Sequence, residues 1–273
     1  MRIYVEGVGL CGPGIEGWTH AREVLAGRAE HVPGPTAMPP SPLLPANERR
    51  RAPKIVKIAL AAGAEAFAAA GRDPAQTPTI FASSGGDGDT IHGILSALAS
   101  PQRELSPTKF HNSVHNAAAG YWSIATGATS ALTSLCAHDG SFAAGLLEAA
   151  TQAAALGQAV ALIAYDVPYP APLSAVRPIG AAFGVALVLS PLPSAVGFAR
   201  LGLALRPGSH APSPAVSPAL EQLRRTTPAA RCLPLLAALA DDVATEVTLD
   251  YLEDMALMLD ITPRPAEGWQ DPA

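Results

Sequence analysis

Residues 131–164 read ALTSLCAHDGSFAAGLLEAATQAAALGQAVALIA and carry the clearest structural signal in the chain. An apolar run at 131–135 is followed by a polar turn, and the alanine-rich segment 141–156 then has helical periodicity until Gly157. A fully apolar run, 160–164, comes next. This order predicts a strand, a helix and a second strand, which is typical of a sheet with helices packed on its faces.

The same alternation extends to both sides of this stretch. Period-two runs predict strands, and alanine-rich runs with apolar residues every three or four positions predict helices. The predicted strands are 2–8, 79–83, 184–189 and 198–205, and the predicted helices are 18–25, 55–70, 91–98 and 117–126. The sequence therefore predicts an α/β fold with a central, mostly parallel sheet covered on both faces.

Two stretches are predicted to be irregular. Residues 31–46 hold six prolines and little periodicity, which predicts a surface loop. Residues 84–89, SGGDGD, follow a predicted strand and precede a predicted helix. A strand-to-helix connector is the favoured interpretation of this glycine run. A phosphate cradle is the alternative, although neither GxGxxG nor GxxxxGK[ST] is present.

The composition changes after Pro207. Prolines at 212, 214 and 218 predict a linker, and helices are predicted at 219–225 and 234–259. Acidic residues at three- and four-residue intervals in the last segment favour an amphipathic helix, which either packs on the main body or docks another chain. We therefore predict two parts, a domain at 1–207 and a proline-rich linker with a short helical tail at 208–273.

Charge and composition disfavour several classes of function. The 18 Lys and Arg residues against 23 Asp and Glu give a net charge of −5, which does not favour a nucleic-acid partner. No uninterrupted apolar run reaches the length of a membrane span, so we expect neither membrane insertion nor secretion. Three well-separated cysteines suggest neither a disulfide framework nor a metal site, and we expect a cytoplasmic protein.

Several short motifs occur in a recognisable order. They are GVGLCGPGIEGW at 7–18, Leu25-Ala26-Gly27, Ser106-Pro107, Asn116, Ala119-Gly120, Gly127 and RPIGAAFGVALVL at 177–189. In this order and spacing the chain resembles the N-terminal half of the β-ketoacyl synthase family over about residues 1–205. The resemblance implies the layered thiolase fold.

In active members of that family a cysteine at a strand-to-helix turn receives the acyl chain as a thioester. An ungapped count from Asn116 through Gly127 places Asp139 at this position. Cys136 lies three residues earlier, and aligning it with the nucleophile would need two compensating gaps. We expect Cys136 to be a buried structural thiol and Asp139 to cap the following helix.

The resemblance also implies two histidines that assist decarboxylation. We find no HGTGT-like and no NxFGFGG-like segment, and His210, in the proline-rich stretch, is the one histidine after His138. The chain is therefore similar to chain-length factors, the non-catalytic partners of ketoacyl synthases, such as those of aryl polyene pigment pathways. We expect no catalytic residue, metal or cofactor in it.

The same resemblance implies partners and an acyl tunnel. We expect a heterodimer with a catalytic β-ketoacyl synthase subunit, and contact with an acyl carrier protein during polyketide, polyene or fatty-acid-like chain elongation. The arginines after Glu48 are either a solvated helix start or a surface for this carrier. Val114 matches a tunnel-gating position, and the further tunnel or interface candidates are Phe110, His111, Asn116 and Trp122.

An alternative from another class remains open. A self-sufficient ketoacyl synthase or other acyltransferase could use Cys136 as nucleophile, with His111, His115 or His138 as the base. His138 is otherwise expected to be hydrogen-bonded in the turn. The sequence does not identify the synthase partner, the chain length or the starter unit. It also does not indicate whether the chain forms a homodimer or what the tail does.

Overall fold

The computed structural model describes residues 1–269. Its strands are β1 (Arg2–Gly12), β2 (Ile15–Glu16), β3 (Thr79–Ala82), β4 (Leu132–Leu135), β5 (Val160–Asp166), β6 (Phe183–Ser190), β7 (Ala199–Pro207), β8 (Thr245–Leu252) and β9 (Met255–Pro263). Its helices are α1 (Gly17–Leu25), α2 (Ala46–Arg51), α3 (Lys54–Ala70), α4 (Gly88–Ala99), α5 (Pro107–Asn112), α6 (Ala117–Thr126), α7 (Ser141–Leu156), α8 (Leu173–Val176), α9 (Pro218–Thr226) and α10 (Leu233–Asp241).

All nine strands form one mixed sheet in the order β4-β3-β5-β6-β1-β7-β9-β8, with β2 paired to β1. The α/β layered fold is confirmed. Parallel pairing is confined to β3 with its neighbours β4 and β5, because helical crossovers join these strands. The connection from β5 to β6 contains only the short α8, and β6 pairs antiparallel with β5. The pairs β6–β1, β1–β7, β7–β9 and β9–β8 are antiparallel as well.

Alanine and glycine allow helix α3 to approach the sheet closely. A Cβ added to Gly9 would lie 2.0 Å from the carbonyl oxygen of Ala62, and one added to Gly7 would lie 2.2 Å from that of Ala66. Helices α3 and α6 cover one face of the sheet, whereas α1, α7 and α10 cover the other. None of the helices within residues 1–269 is long and apolar enough to span a membrane.

The prediction of a helical tail over 234–259 is wrong after Asp241. Asp242 adopts a left-handed conformation (φ 53°) that ends α10, and β8 and β9 follow as a hairpin paired to β7. A spacing of four, as between Glu246 and Asp250, keeps side chains on one face of a strand as well as of a helix, so it could not separate the two. Residues 270–273 of the predicted tail lie outside the described residues.

The C-terminal hairpin belongs to the main core. Leucines of β8, β9 and α10 join the same buried cluster as those of β1 and β6. The proline-rich segment before α9 also reaches the sheet: the Ser213 N–H donates to the Thr248 carbonyl oxygen at 2.9 Å, and the Thr248 N–H donates to Ser213 Oγ at 3.0 Å. Part of the outer edge of β8 is therefore occupied.

Candidate functional site

The turn between β4 and α7 is tight and crowded. His138–Gly140 form one turn of 3₁₀ helix, and His138 has a φ of 49°, which is uncommon for a residue with a side chain. The Ser141 hydroxyl donates to the His138 carbonyl oxygen at 2.6 Å and accepts from the Ala137 N–H at 3.0 Å. The turn is thus held by its own hydrogen bonds, with His138 pointing to solvent at 71% side-chain exposure.

Asp139 lies between two arginines from distant parts of the chain. Its carboxylate oxygens are 2.6 Å from the Arg177 guanidinium and 3.0 Å from that of Arg231. Burial alone would raise the pKa of Asp139, but the two guanidinium groups outweigh it and hold the pKa below its usual range. Asp139 is therefore an ionised anchor. The prediction that it caps α7 is wrong, because the N-cap residue is Gly140 and no side chain caps that helix. We call the trio of Arg177, Asp139 and Arg231 the clasp.

The clasp continues into the C-terminal hairpin. Arg231 is 3.4 Å from Asp250 of β8, which also pairs with the buried Arg224 at 3.1 Å. Arg224 in turn pairs with Glu221 at 2.8 Å, and hydrogen bonding to Arg224 lowers the pKa of Glu221. The turn, the Pro228–Cys232 segment, α9 and β8 are connected through these contacts.

Cys136 is exposed, so the prediction of a buried structural thiol is wrong. It follows the last residue of β4, an edge strand with no neighbour on its outer side among residues 1–269. Its Sγ lies 3.2 Å from the Ser84 carbonyl oxygen. The buried thiols are Cys232 and, in part, Cys11, whose pKa burial raises to about 11.

The candidate bases make other contacts. Nε2 of His115 is 3.1 Å from the Ser83 carbonyl oxygen, Nδ1 of His138 is 3.6 Å from Asp139, and the His111 ring packs edge-on against Tyr121. Within residues 1–269, no hydrogen bond joins any of these imidazoles to a cysteine. None of these three imidazoles is therefore paired with a thiol in the described structure.

A buried carboxylate that sequence reasoning missed lies at the neighbouring strand ends. Asp166 accepts from the Ser84 N–H and hydroxyl at 2.9 and 2.7 Å, and from the Ala229 N–H at 2.9 Å. Burial raises its pKa to about 6 although these hydrogen bonds favour the charged form. Two sequence features could have indicated this site: an aspartate at the end of an apolar strand, and the two serines Ser83 and Ser84 directly after β3.

The glycine turn before α4 makes room for an aromatic ring. A Cβ on Gly85 would lie 1.9 Å from the Tyr169 hydroxyl oxygen, and one on Gly88 would lie 2.4 Å from its ring. Asp87 caps α4 by accepting from the Thr90 N–H at 3.3 Å. These contacts favour the connector interpretation over a phosphate cradle, because the tyrosine occupies the space above the turn.

The predicted tunnel and interface residues fall into two groups. Phe110 is 67% exposed and Val114 is 53% exposed, and His111 and Asn116 are exposed as well. Trp122 is fully buried and packs against the rings of Phe67 and Phe81. Four of these side chains thus lie at the surface, in the segment that connects β3 to β4, whereas Trp122 lies in the core.

A polar cavity of about 410 Å³ adjoins the clasp. Its walls come from the turn, the β8–β9 hairpin and the segment after β7, and include His138, Asp139, His210, Asp250 and Glu253. No group of three or more His, Cys, Asp or Glu side chains in the described part of the chain could hold a metal ion. Arginines already neutralise two of the cavity's carboxylates, Asp139 and Asp250.

Solved structures share this fold. A chain of the ketosynthase ApeO in complex with its chain length factor ApeC, from Xenorhabdus doucetiae, matches at a TM-score of 0.73 and 18% identity, over 95% of this chain and 99% of that one. The complex AntDE:AntF, a type II PKS acyl-carrier protein with its ketosynthase bound to the hexaketide, gives 0.73 and 12%, over 96% and 99%. The ishigamide ketosynthase/chain length factor gives 0.69 and 11%, over 96% and 99%.

Among curated proteins, none matches the chain by sequence. A family model does: that of the β-ketoacyl synthase N-terminal domain matches residues 22–244, more than half of the chain. At identities below 20% the likeness to solved structures concerns the fold alone. On the family match, the chain belongs to the β-ketoacyl synthase family through its N-terminal domain.

Proposed function

We propose that this chain is a chain-length-factor-like, non-catalytic partner of a β-ketoacyl-acyl-carrier-protein synthase. It would shape the tunnel that receives the growing acyl chain in polyketide, polyene or fatty-acid-like elongation. The observation that carries this proposal is the clasp: Asp139, matched to the family's nucleophile, is held as an ion between Arg177 and Arg231.

A carboxylate in this position cannot perform the family's acyl transfer. The thiolate of a ketosynthase displaces the carrier's thiol and keeps the acyl chain as a thioester. A carboxylate is a weak nucleophile, and an acyl group on it would be a labile anhydride. The two guanidiniums weaken it further by lowering its basicity. Asp139 is therefore an anchor for the turn in this proposal, and the partner subunit supplies the reactive cysteine.

The free edge of the sheet supports a partner at β4. A bare edge strand offers unpaired backbone groups to another chain. At the opposite edge Ser213 already pairs with Thr248 of β8, whereas β4 has no outer neighbour within residues 1–269. The exposed side chains of Phe110 and Val114 belong to the segment that connects β3 to β4. A synthase subunit seated here would cover these apolar side chains.

The proposal includes a second, transient partner and a location. An acyl carrier protein would deliver the chain to the heterodimer, as the AntDE:AntF complex couples a carrier protein with its ketosynthase. We place the complex in the cytoplasm, because all three cysteines are free thiols.

Exposure of Cys136 favours a second candidate, an acyltransferase that uses this thiol. Fast alkylation of Cys136 is expected from exposure alone and does not discriminate. Transfer of an acyl group from a thioester to Cys136 would discriminate, because it requires activation as well as access.

The test is co-expression with ketoacyl synthases encoded in the same genome neighbourhood, followed by copurification and an assay with malonyl-carrier protein. We expect a stable heterodimer whose activity survives Cys136→Ala in this chain and is lost when the partner's nucleophilic cysteine is replaced. Condensation by this chain alone, abolished by Cys136→Ala, would overturn the proposal in favour of the acyltransferase.

A further inference from the structure

The sheet has an uncovered surface at the end opposite β4. In β7, β8 and β9, alternate residues such as Leu203, Leu249 and Leu257 are buried on the side of α7 and α10, and the residues between them point to the other side. On that side α3 packs on β1, β5 and β6, but within residues 1–269 no residue of β7, β8 or β9 joins its buried cluster. We call this surface the bare face; it is defined by Arg2, Gly202, Ala204, Glu246, Met258 and Asp260.

Strand pairing fixes where these residues lie on the bare face. One row crosses β1, β7, β9 and β8 and consists of Arg2, Gly202, Asp260 and Glu246. Ala204 of β7 and Met258 of β9 face each other in the next row. The first row therefore has a positive charge at its β1 end and two negative charges toward its β8 end.

The charged side chains of the first row lack counter-ions in the part of the chain that the structure describes. No ion pair within 4.0 Å among residues 1–269 includes Arg2, Asp260 or Glu246. All three residues are exposed. Their charges are therefore available to a second molecule.

The second row combines a large side chain with an open position. The Thr248 hydroxyl donates to Met258 Sδ at 3.2 Å, so the methionine side chain leans toward β8. Ala204, its neighbour on β7, is exposed. A cavity of about 270 Å³ lies over this part of the sheet. The bare face thus offers both a projection and a recess.

We propose that the bare face binds the bare face of a second copy of this chain, about a two-fold axis that runs parallel to the strands between β7 and β9. This rotation exchanges β1 with β8 and β7 with β9, and it keeps each row opposite itself. Arg2 then faces Glu246 of the second copy, and Met258 faces Ala204 of the second copy. Each contact occurs twice, as in any interface with two-fold symmetry. Stacked sheets lie about 10 Å apart, which leaves room for a layer of side chains from each.

The charge pattern favours a second copy over another partner. A row with opposite charges at its two ends complements itself after the rotation, whereas a uniformly acidic or basic partner would place like charges together at one end. The bare face is small, so we expect a weak and reversible dimer. Because β4 lies at the other end of the sheet, this inference goes beyond the proposed function and leaves the edge at β4 open to a synthase.

Sedimentation velocity of the isolated full chain over about 1–200 µM tests this inference. We expect a monomer–dimer equilibrium whose dissociation constant rises by about tenfold or more in Arg2→Glu and in Glu246→Arg, because each reversal creates two like-charged pairs across the axis. An equimolar mixture of the two variants should recover the parent affinity to within about threefold, since the exchanged charges then meet in both contacts. Both variants keep a net negative charge, so general attraction between them does not produce this recovery.

Two matched controls reverse the same charges elsewhere. Arg103→Glu and Glu30→Arg change exposed residues outside the bare face, and the dissociation constant of each should stay within about twofold of the parent. Ala204→Arg tests the packing of the second row: the position is exposed, so the fold should be unchanged by circular dichroism, and the dissociation constant should rise by about tenfold or more.

Three results would overturn the inference: a parent chain that stays monomeric over this range, a dimer that neither charge reversal weakens, or a mixture of the two variants that does not recover. Copurification with a synthase is scored separately. Its failure would remove the proposed function and leave the dimer, whereas a monomeric chain that copurifies with a synthase would remove this inference alone.

Discussion

The carbonyl oxygen of Tyr251 stands directly against Gly140, so that a Cβ on the glycine would lie 2.1 Å from it. Gly140 ends the turn that carries Asp139, and Tyr251 lies near the end of β8. The tip of the C-terminal hairpin therefore rests on the turn by backbone contact. Arg231 connects the same two parts by ion pairs, because it contacts Asp139 of the turn and Asp250 of β8.

The substitution Gly140→Ala should force the hairpin away from the turn. We expect a loss of about 1–3 kcal/mol in the free energy of unfolding, because backbone atoms must shift to admit the methyl group. Gly120→Ala is the matched control, since a Cβ there meets nothing within 4 Å and alanine favours helix α6. Urea denaturation measures both, and equal stability of the two variants would contradict the contact.

Replacing Asp139 by asparagine should cost more stability than removing an exposed ion pair. We expect a loss of about 1–2 kcal/mol, because Arg177 and Arg231 are each only 21% exposed. Arg177 would lose its counter-ion, and Arg231 would keep only the pair with Asp250. Asp242→Asn, which breaks the exposed pair with Arg22, should cost less than about 1 kcal/mol.

The effect of Asp139→Asn should also depend on pH. Because the clasp lowers the pKa of Asp139 from 3.8, its contribution is present above that value and is lost as pH falls through the lowered pKa. Denaturation curves of the variant and parent should therefore converge in acid. A gap that persists unchanged would contradict an ionised anchor.

Asp166 should titrate near pH 6. Its folded-state pKa is raised from 3.8 to about 6, so the folded protein holds a proton that the unfolded chain has released between these values. The associated stability is present below pH 3.8 and is lost as pH rises through about 6, by roughly 3 kcal/mol in total.

Carbon-13 NMR of the Asp166 carboxyl measures this pKa directly, and the unfolding free energy of Asp166→Asn should lack the corresponding slope. The amide will add a constant offset, because it cannot accept every hydrogen bond that the carboxylate accepts from Ser84 and Ala229. A titration at the ordinary carboxyl value would contradict the effect of burial.

Thiol labelling should separate the three cysteines. At neutral pH we expect iodoacetamide to modify Cys136 quickly and Cys232 only after unfolding, with Cys11 slow because burial raises its pKa to about 11. Mass spectrometry after timed quenching reads each site. If a synthase subunit covers the edge of β4, its addition should slow labelling of Cys136, and an unchanged rate in a verified heterodimer would contradict that placement.

Val114 should influence product length if it gates the tunnel. In the heterodimer, Val114→Ala removes two methyl groups from a half-exposed side chain, and we expect longer products by mass spectrometry at similar total yield. The control, Val32→Ala in the proline-rich loop, also removes volume from an exposed valine. The same product distribution in both variants would count against a gate at Val114.

Local sequence determined most of the elements. The runs at 131–135, 141–156 and 160–164 became β4, α7 and β5, because strand and helix periods and terminating glycines act over a few neighbouring residues. The same stretch placed Asp139 between strand and helix. An interval of four positions between acidic residues did not distinguish a helix from the β8–β9 hairpin, because this interval keeps side chains on one face of either element.

Tertiary structure decided which distant groups meet. Asp139 and Arg231 are 92 positions apart, and nothing in either neighbourhood indicates their pairing. The exposure of Cys136 follows from the position of β4 at the sheet edge, and the burial of Asp166 and Trp122 from the helices laid over neighbouring strands. Sequence by itself thus determined the order of most strands and helices up to β7, and it predicted Asp139 at the position of the family's nucleophile. Only packing decided the clasp and the free edge, because burial and ion pairing depend on contacts between residues far apart in the chain.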